Sequence, residues 1–148
     1  MEVNQLQAEN MNHLTPLEAW ELLQTEPRTL LVDIRSDMEY LFVGHPVGAV
    51  HIPWINEPSW SVNENFVTEI CQLLPGENCT KEKQTDCSPI ILICRSGQRS
   101  VDAGRSLLEA GVRYVGHVVE GFEGELDKRF RRSTLGGWRF HGLPWEQC

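Results

Sequence analysis

"IILICRSGQRSVDAGRSLLEAG", residues 90–111, carries the reading of this chain. Four aliphatic residues run straight into Cys94. A short unbroken apolar run of this kind suits a strand buried on both faces. Arg95, Ser96, Gly97, Gln98 and Arg99 follow as a polar turn. Helical spacing takes over from about Gln98 to Ala110, and Gly111 stands where a helix commonly ends on a left-handed residue. Strand, turn and helix in that order is the building unit of a parallel sheet. In open sheets of this class, ligands sit beyond the C-terminal ends of the strands. Cys94 is expected at such an end.

The turn explains why a thiol belongs there. Successive backbone N–H groups of "RSGQRS" can converge on one point and form an anion-binding nest. The helix N-terminus adds partial positive charge, and Arg95 and Arg99 add formal charge. Such surroundings favour a thiolate over a thiol and so produce a nucleophile at neutral pH. Gly97 allows close backbone approach and a positive φ. Ser96 is small and can donate a hydrogen bond. The turn lacks the GK[ST] ending of a nucleotide P-loop. Cys71, Cys79, Cys87 and Cys148 have no comparable setting and read as structural or exposed.

Working outward, "TLLVDIR" (29–35) and "GAVHIPW" (48–54) read as strands, the second ended by Pro53. "RYVGHVVEG" (113–121) reads as a further strand. "LTPLEAWELL" announces a helix: Thr15 at the N-cap, Pro16 at N1 and Glu18 at N3 make a capping box. "SDMEYLFVG" (36–44) suits a short helix capped by Ser36 and closed by Gly44. "NENFVTEICQLL" (63–74) has Phe66, Ile70 and Leu73 or Leu74 at helical spacing. Residues 75–88 are polar and turn-rich, the composition of an exposed loop. Residues 121–138 read as loop with at most a short helix, and the tail with Trp138 and Trp145 is expected to fold back on the body. The alternation of strands and helices implies an α/β fold with a parallel sheet and right-handed crossovers.

The bulk numbers agree with one globular domain. The chain has 148 residues, 41% hydrophobic and 23% charged. Its net charge of −8 argues against general nucleic-acid binding. The charge is uneven: residues 1–93 carry four basic and fourteen acidic side chains, residues 94–148 nine basic and seven acidic. An anion is therefore expected at the C-terminal part, while Lys128, Arg129, Arg131 and Arg132 read as a solvated face. The polar N-terminus lacks the pattern of a signal peptide, and no apolar run is long enough to span a membrane. A cytoplasmic location is the default expectation. Five cysteines, an odd number, argue against a disulfide framework. No CxxC or HxxxH pairing suggests a metal site, and the five scattered histidines read as structural or exposed.

At these residues the chain resembles the rhodanese family of thiosulfate:cyanide sulfurtransferases, over roughly Leu14 to Trp145. "CRSGQRS" is similar to the family's active-site loop. "LVDIRSDMEYLFVGHPVGAVHIPW" resembles its upstream block, and "VVEGFEGELD" and "GWRFHGLPW" resemble the closing blocks of single-domain members. In one place the chain departs: Gly121 is followed by Phe122, where many members have a second glycine. The resemblance implies a three-layer α/β/α fold around a parallel sheet of about five strands. It divides the chain into an N-terminal extension, 1–13, and a rhodanese domain, 14–148, with a polar loop insertion near 75–88. It makes Cys94 the sulfur carrier and Arg95, Ser96, Gly97, Gln98 and Arg99 the substrate-binding loop. Asp33 and Arg35 match an Asp-x-Arg pair that buttresses the loop. The implied partners are a small anionic sulfur donor and a thiol, cyanide or protein-cysteine acceptor, with no cofactor, metal, nucleic acid or membrane. The implied chemistry is a two-step exchange through a Cys94 persulfide, with no general base needed once the thiolate exists. Oligomeric state stays open.

Two other functions share the architecture. A phosphatase of the Cdc25 type holds its cysteine and arginine with five residues between them around a wider cradle; related arsenate reductases vary in loop length. Here four residues separate Cys94 from Arg99, which suits a sulfur atom better. A non-catalytic rhodanese-like binding module would usually lack the cysteine, which this chain keeps.

Overall fold

The computed structural model describes residues 6–74 and 88–148. Five short strands pair in parallel in the order β1-β6-β5-β2-β4. They are β1 (Met11–Leu14), β2 (Leu30–Asp33), β4 (Val50–His51), β5 (Ile90–Ile93) and β6 (Val115–Val118). A small antiparallel pair, β3 (His45–Pro46) with β7 (Trp145–Glu146), ties the C-terminal tail to the body. The helices are α1 (Pro16–Thr25), α2 (Phe66–Leu73) and α3 (Arg99–Glu109).

Central strand β5 shows why the pattern folds this way. All four of its residues are buried, and alternate side chains enter different cores. Ile90, Leu92 and Cys94 pack with Phe66, Ile70, Ala103 and Leu107, from the α2 and α3 side. Ile91 and Ile93 pack with Ala19, Leu22, Phe122 and Trp138, from the α1 and tail side. The result is the expected three-layer α/β/α arrangement. Trp138 is fully buried and its indole N–H donates to the Pro144 carbonyl, whereas Trp145 stays partly exposed.

The capping box of α1 forms as expected: Glu18 N–H donates to Thr15 Oγ1, and Thr15 N–H to Glu18 Oε1. The short helix expected over 36–44 also forms, and its Glu39–Val43 part is a π-helical turn, because Gly44 N–H reaches back five residues to the Glu39 carbonyl. Residues 121–138 form the expected loop, with turns and no helix. Strand β1 went unread, and it takes three of its four residues from the segment expected as an extension. Its sequence, MNHL, has no clean alternation; cross-strand hydrogen bonding holds it, including Asn12 Nδ2 donating to the Val115 carbonyl at 3.0 Å. The expected loop at 75–88 lies, except for Ser88, outside the described residues.

Candidate active site

Strand parity places Cys94. It follows Ile90 and Leu92 on the face covered by α3, so its side chain points beneath the start of that helix. It is 1% exposed. Its sulfur accepts the N–H of Gly97 at 3.2 Å and lies 3.5 Å from Ser100 Oγ. Gln98, at the N-cap of α3, makes no side-chain cap. Among the described residues, the N–H groups of Ser96, Gln98, Arg99 and Ser100 find no protein acceptor. Buried or half-buried N–H groups without partners are costly, and a cluster of them beside a sulfur is a ready anion cradle.

Two glycines make the loop's shape possible. Gly97 has φ +96°, and a Cβ there would sit 2.0 Å from the Val119 carbonyl oxygen. Gly121 has φ +68°, and a Cβ there would sit 2.5 Å from the Arg95 carbonyl. The close approach is used: Phe122 N–H donates to the Cys94 carbonyl at 2.8 Å, and Glu123 N–H to the Arg95 carbonyl at 2.9 Å. The departure from the family pattern at Phe122 thereby acquires a role. Its N–H anchors the loop, and its ring lies 4.4 Å from the Arg35 guanidinium.

Asp33 and Arg35 are both fully buried. Arg35 Nη2 and Nε donate to the Asp33 carboxylate at 2.7 and 3.0 Å. Arg35 also donates to the Gly44 carbonyl, and its own carbonyl lies 2.8 Å from His51 Nε2. The pair joins the ends of β2, β3 and β4 under Phe122, without touching Cys94.

The two arginines of the loop differ. Arg95 is exposed. Arg99 is half-buried and grips Glu39 with two hydrogen bonds, 2.8 and 3.0 Å. Glu39 is the one glutamate of the upstream block that resembles the family, but the sequence assigned it no role, although Ser36 and Glu39 fit a capping pattern; their reciprocal bonds, both 3.3 Å, are present. Burial raises the Glu39 carboxyl, but the Arg99 hydrogen bonds and charge outweigh it, and the group ends below the usual carboxylate range. Burial likewise works against the Arg99 charge, and Glu39, then Cys94, outweigh it. Part of the positive charge expected to serve the sulfur is thus already shared with a carboxylate.

Ser100 and two histidines were also missed. Ser100 Oγ lies 2.8 Å from His117 Nδ1, and His117 Nε2 lies 2.8 Å from His13 Nδ1. The β1–β6 register pairs His13 with His117 directly, across 104 positions of sequence. Nothing local announces such a meeting.

The profile of the rhodanese-like domain family matches residues 15–126. A Haemophilus influenzae protein named thiosulfate sulfurtransferase GlpE is 31% identical over 111 residues, covering 75% of this chain and 84% of its own. The crystal structure of Rv0390 from M. tuberculosis superposes with a TM-score of 0.76 at 36% identity, covering 93% of this chain and 98% of that one. A thiosulfate sulfurtransferase from Pseudomonas aeruginosa superposes with a TM-score of 0.62 at 21% identity, over 93% of this chain and 20% of that one. That last likeness is one of fold.

Proposed function

The chain belongs to the rhodanese-like domain family, and from that premise we propose that it is a sulfurtransferase using Cys94 to move sulfane sulfur from thiosulfate or a persulfide to a thiophilic acceptor. The observation that carries this reading is the buried Cys94 sulfur held by the Gly97 N–H among loop N–H groups with no acceptor among the described residues. Such a cradle stabilises an anionic sulfur before and after transfer, without reorganising.

The Cys94 thiolate attacks the outer sulfur of the donor. For thiosulfate, the S–S bond breaks and its electron pair leaves with sulfite, so Cys94 becomes a persulfide anion. The acceptor then attacks the terminal sulfur, and the second S–S bond breaks with its electron pair returning to Cys94. Each half-reaction conserves charge. Gly97 N–H and its neighbours hold the negative sulfur in both states, Arg95 meets the anionic donor at the mouth, and Arg99 adds positive potential tempered by Glu39. Asp33, Arg35 and Phe122 hold the loop in place. Four residues between Cys94 and Arg99 favour sulfur over phosphoryl transfer.

Mass spectrometry of the protein after incubation with thiosulfate tests the reading. A gain of one sulfur atom, absent in Cys94→Ser, is expected. No gain, together with hydrolysis of an aryl phosphate, overturns it in favour of a phosphatase.

A further inference from the structure

The sulfur is not the end of its hydrogen-bonded chain. From Cys94 Sγ the contacts run 3.5 Å to Ser100 Oγ, 2.8 Å to His117 Nδ1, and 2.8 Å from His117 Nε2 to His13 Nδ1. Cys94, Ser100 and His117 are buried, while His13, on edge strand β1, is exposed. Four elements supply the four residues: the end of β5, the first turn of α3, β6 and β1. We propose that Ser100, His117 and His13 are positioning residues for Cys94, a chain that turns the Ser100 hydroxyl toward the sulfur when it is anionic and couples the sulfur's charge to the protonation of His13. The inference rests on Cys94 being the reacting thiol.

Donor and acceptor counting carries the coupling. A hydroxyl has one proton, and a neutral imidazole has one N–H and one bare nitrogen. When Cys94 is a thiol, its S–H donates to Ser100 Oγ, the hydroxyl donates to His117 Nδ1, and His117 Nε2–H donates to His13 Nδ1. When the sulfur is anionic, the hydroxyl must donate to it. Its oxygen then accepts from His117 Nδ1–H, and His117 Nε2 accepts from His13 Nδ1–H. Three proton shifts convert one state into the other: sulfur to Oγ, Oγ to His117 Nδ1, and His117 Nε2 to His13 Nδ1. A neutral thiol and imidazole become a thiolate and an imidazolium, and no proton is lost on the way. His13, at the surface, then exchanges with solvent.

His117 has the property the chain needs. Burial, with a smaller contribution from His13, lowers its pKa to about 4, so near neutral pH it stays uncharged and keeps one donor and one acceptor. The other charged groups on the covering helix are Arg99, held by Glu39, and exposed Asp102, Arg105 and Glu109; Asp102 and Arg105 lie 3.6 Å apart. Strands β1 and β6 bring no other titratable side chain to this face, and β5 ends just before Cys94. At the far end of β1, Arg113 faces Glu9 at 3.8 Å. Among the described residues, His13 is therefore the exposed ionisable group joined to the chain.

The test uses exposed His13, where substitution leaves the core intact. His13→Phe removes the donor to His117; His13→Lys keeps a cationic N–H donor at that position throughout the pH range scanned. Alkylation of Cys94 by iodoacetamide is followed against pH in the full chain, reading the Cys94 peptide by mass spectrometry. A hydrogen bond to a charged group corresponds to about one pH unit or slightly more. His13→Phe is expected to raise the midpoint of the Cys94 curve by about one unit, and His13→Lys to leave it at or below that of the parent. A His13→Phe midpoint equal to the parent overturns the proposal, as does an equal rise in both variants, which marks a packing effect. Persulfide formation from thiosulfate is scored separately, so loss of the coupling and loss of the sulfurtransferase reading are distinguishable.

Discussion

Lowering the pH should unfold this protein partly through one histidine. His117 lies on β6 with 2% of its surface exposed. Burial, and to a lesser degree His13, brings its pKa from 6.5 down to about 4. In the unfolded chain the ring returns to water and its ordinary value. Between those values the unfolded state holds a proton that the folded state refuses, so stability rises with pH across the window and is lost as pH falls from 6.5 toward 4. The full shift is worth about 3 kcal/mol, of which about 2 disappears between about pH 7 and about pH 4.5. Other groups also take up protons as pH falls, so the parent protein alone does not isolate the effect. His117→Gln does, because glutamine cannot ionise. Urea unfolding followed by tryptophan emission, which includes buried Trp138, is measured for both proteins at both pH values. At neutral pH the variant should be less stable, since Ser100 and His13 lose a partner. Near pH 4.5 that gap should narrow by about 2 kcal/mol. A gap of the same size at both pH values refutes the account of His117 as a buried neutral imidazole.

Other substitutions test the loop and its support. Glu39→Gln releases Arg99 from its carboxylate, so the KM for thiosulfate should fall severalfold, while Arg99→Ala should raise it; steady-state kinetics of the two variants moving in the same direction would contradict the shared-charge reading. Gly97→Ala places a Cβ against the Val119 carbonyl at a positive φ, and should cost about 2–3 kcal/mol in chemical denaturation and most of the sulfur transfer. Asp33→Asn leaves the fully buried Arg35 without its anion and should cost about 3–5 kcal/mol, whereas the double variant Asp33→Leu with Arg35→Met should recover much of that in thermal melts.

The loop was readable because its signals are local. An apolar run, a cysteine, a glycine that needs positive φ and a helical pattern stand within twenty-two consecutive residues. The capping box of α1 was readable for the same reason, being four residues long. Strand β1 was not: its place depends on hydrogen bonds to β6 about a hundred residues away, and its own alternation is weak. Glu39 was half-readable. Its cap to Ser36 is a local pattern, but its grip on Arg99 spans sixty residues. Phe122 looked like a break in a family pattern, and its use emerged only when its ring was seen beneath Arg35 and its N–H on the Cys94 carbonyl.

Residue types and their short-range spacing sufficed to identify Cys94 as the nucleophile candidate, the turn around it and the parallel α/β class. Backbone conformation and helix formation are governed by neighbours a few positions apart, so these features are written in order along the chain. The surroundings of the sulfur are not. Register places His13 beside His117, helix docking brings Ser100 between His117 and Cys94, and the π-helical turn delivers Glu39 to Arg99. Those contacts arise from packing elements far apart in sequence, so no short stretch of the chain announces them.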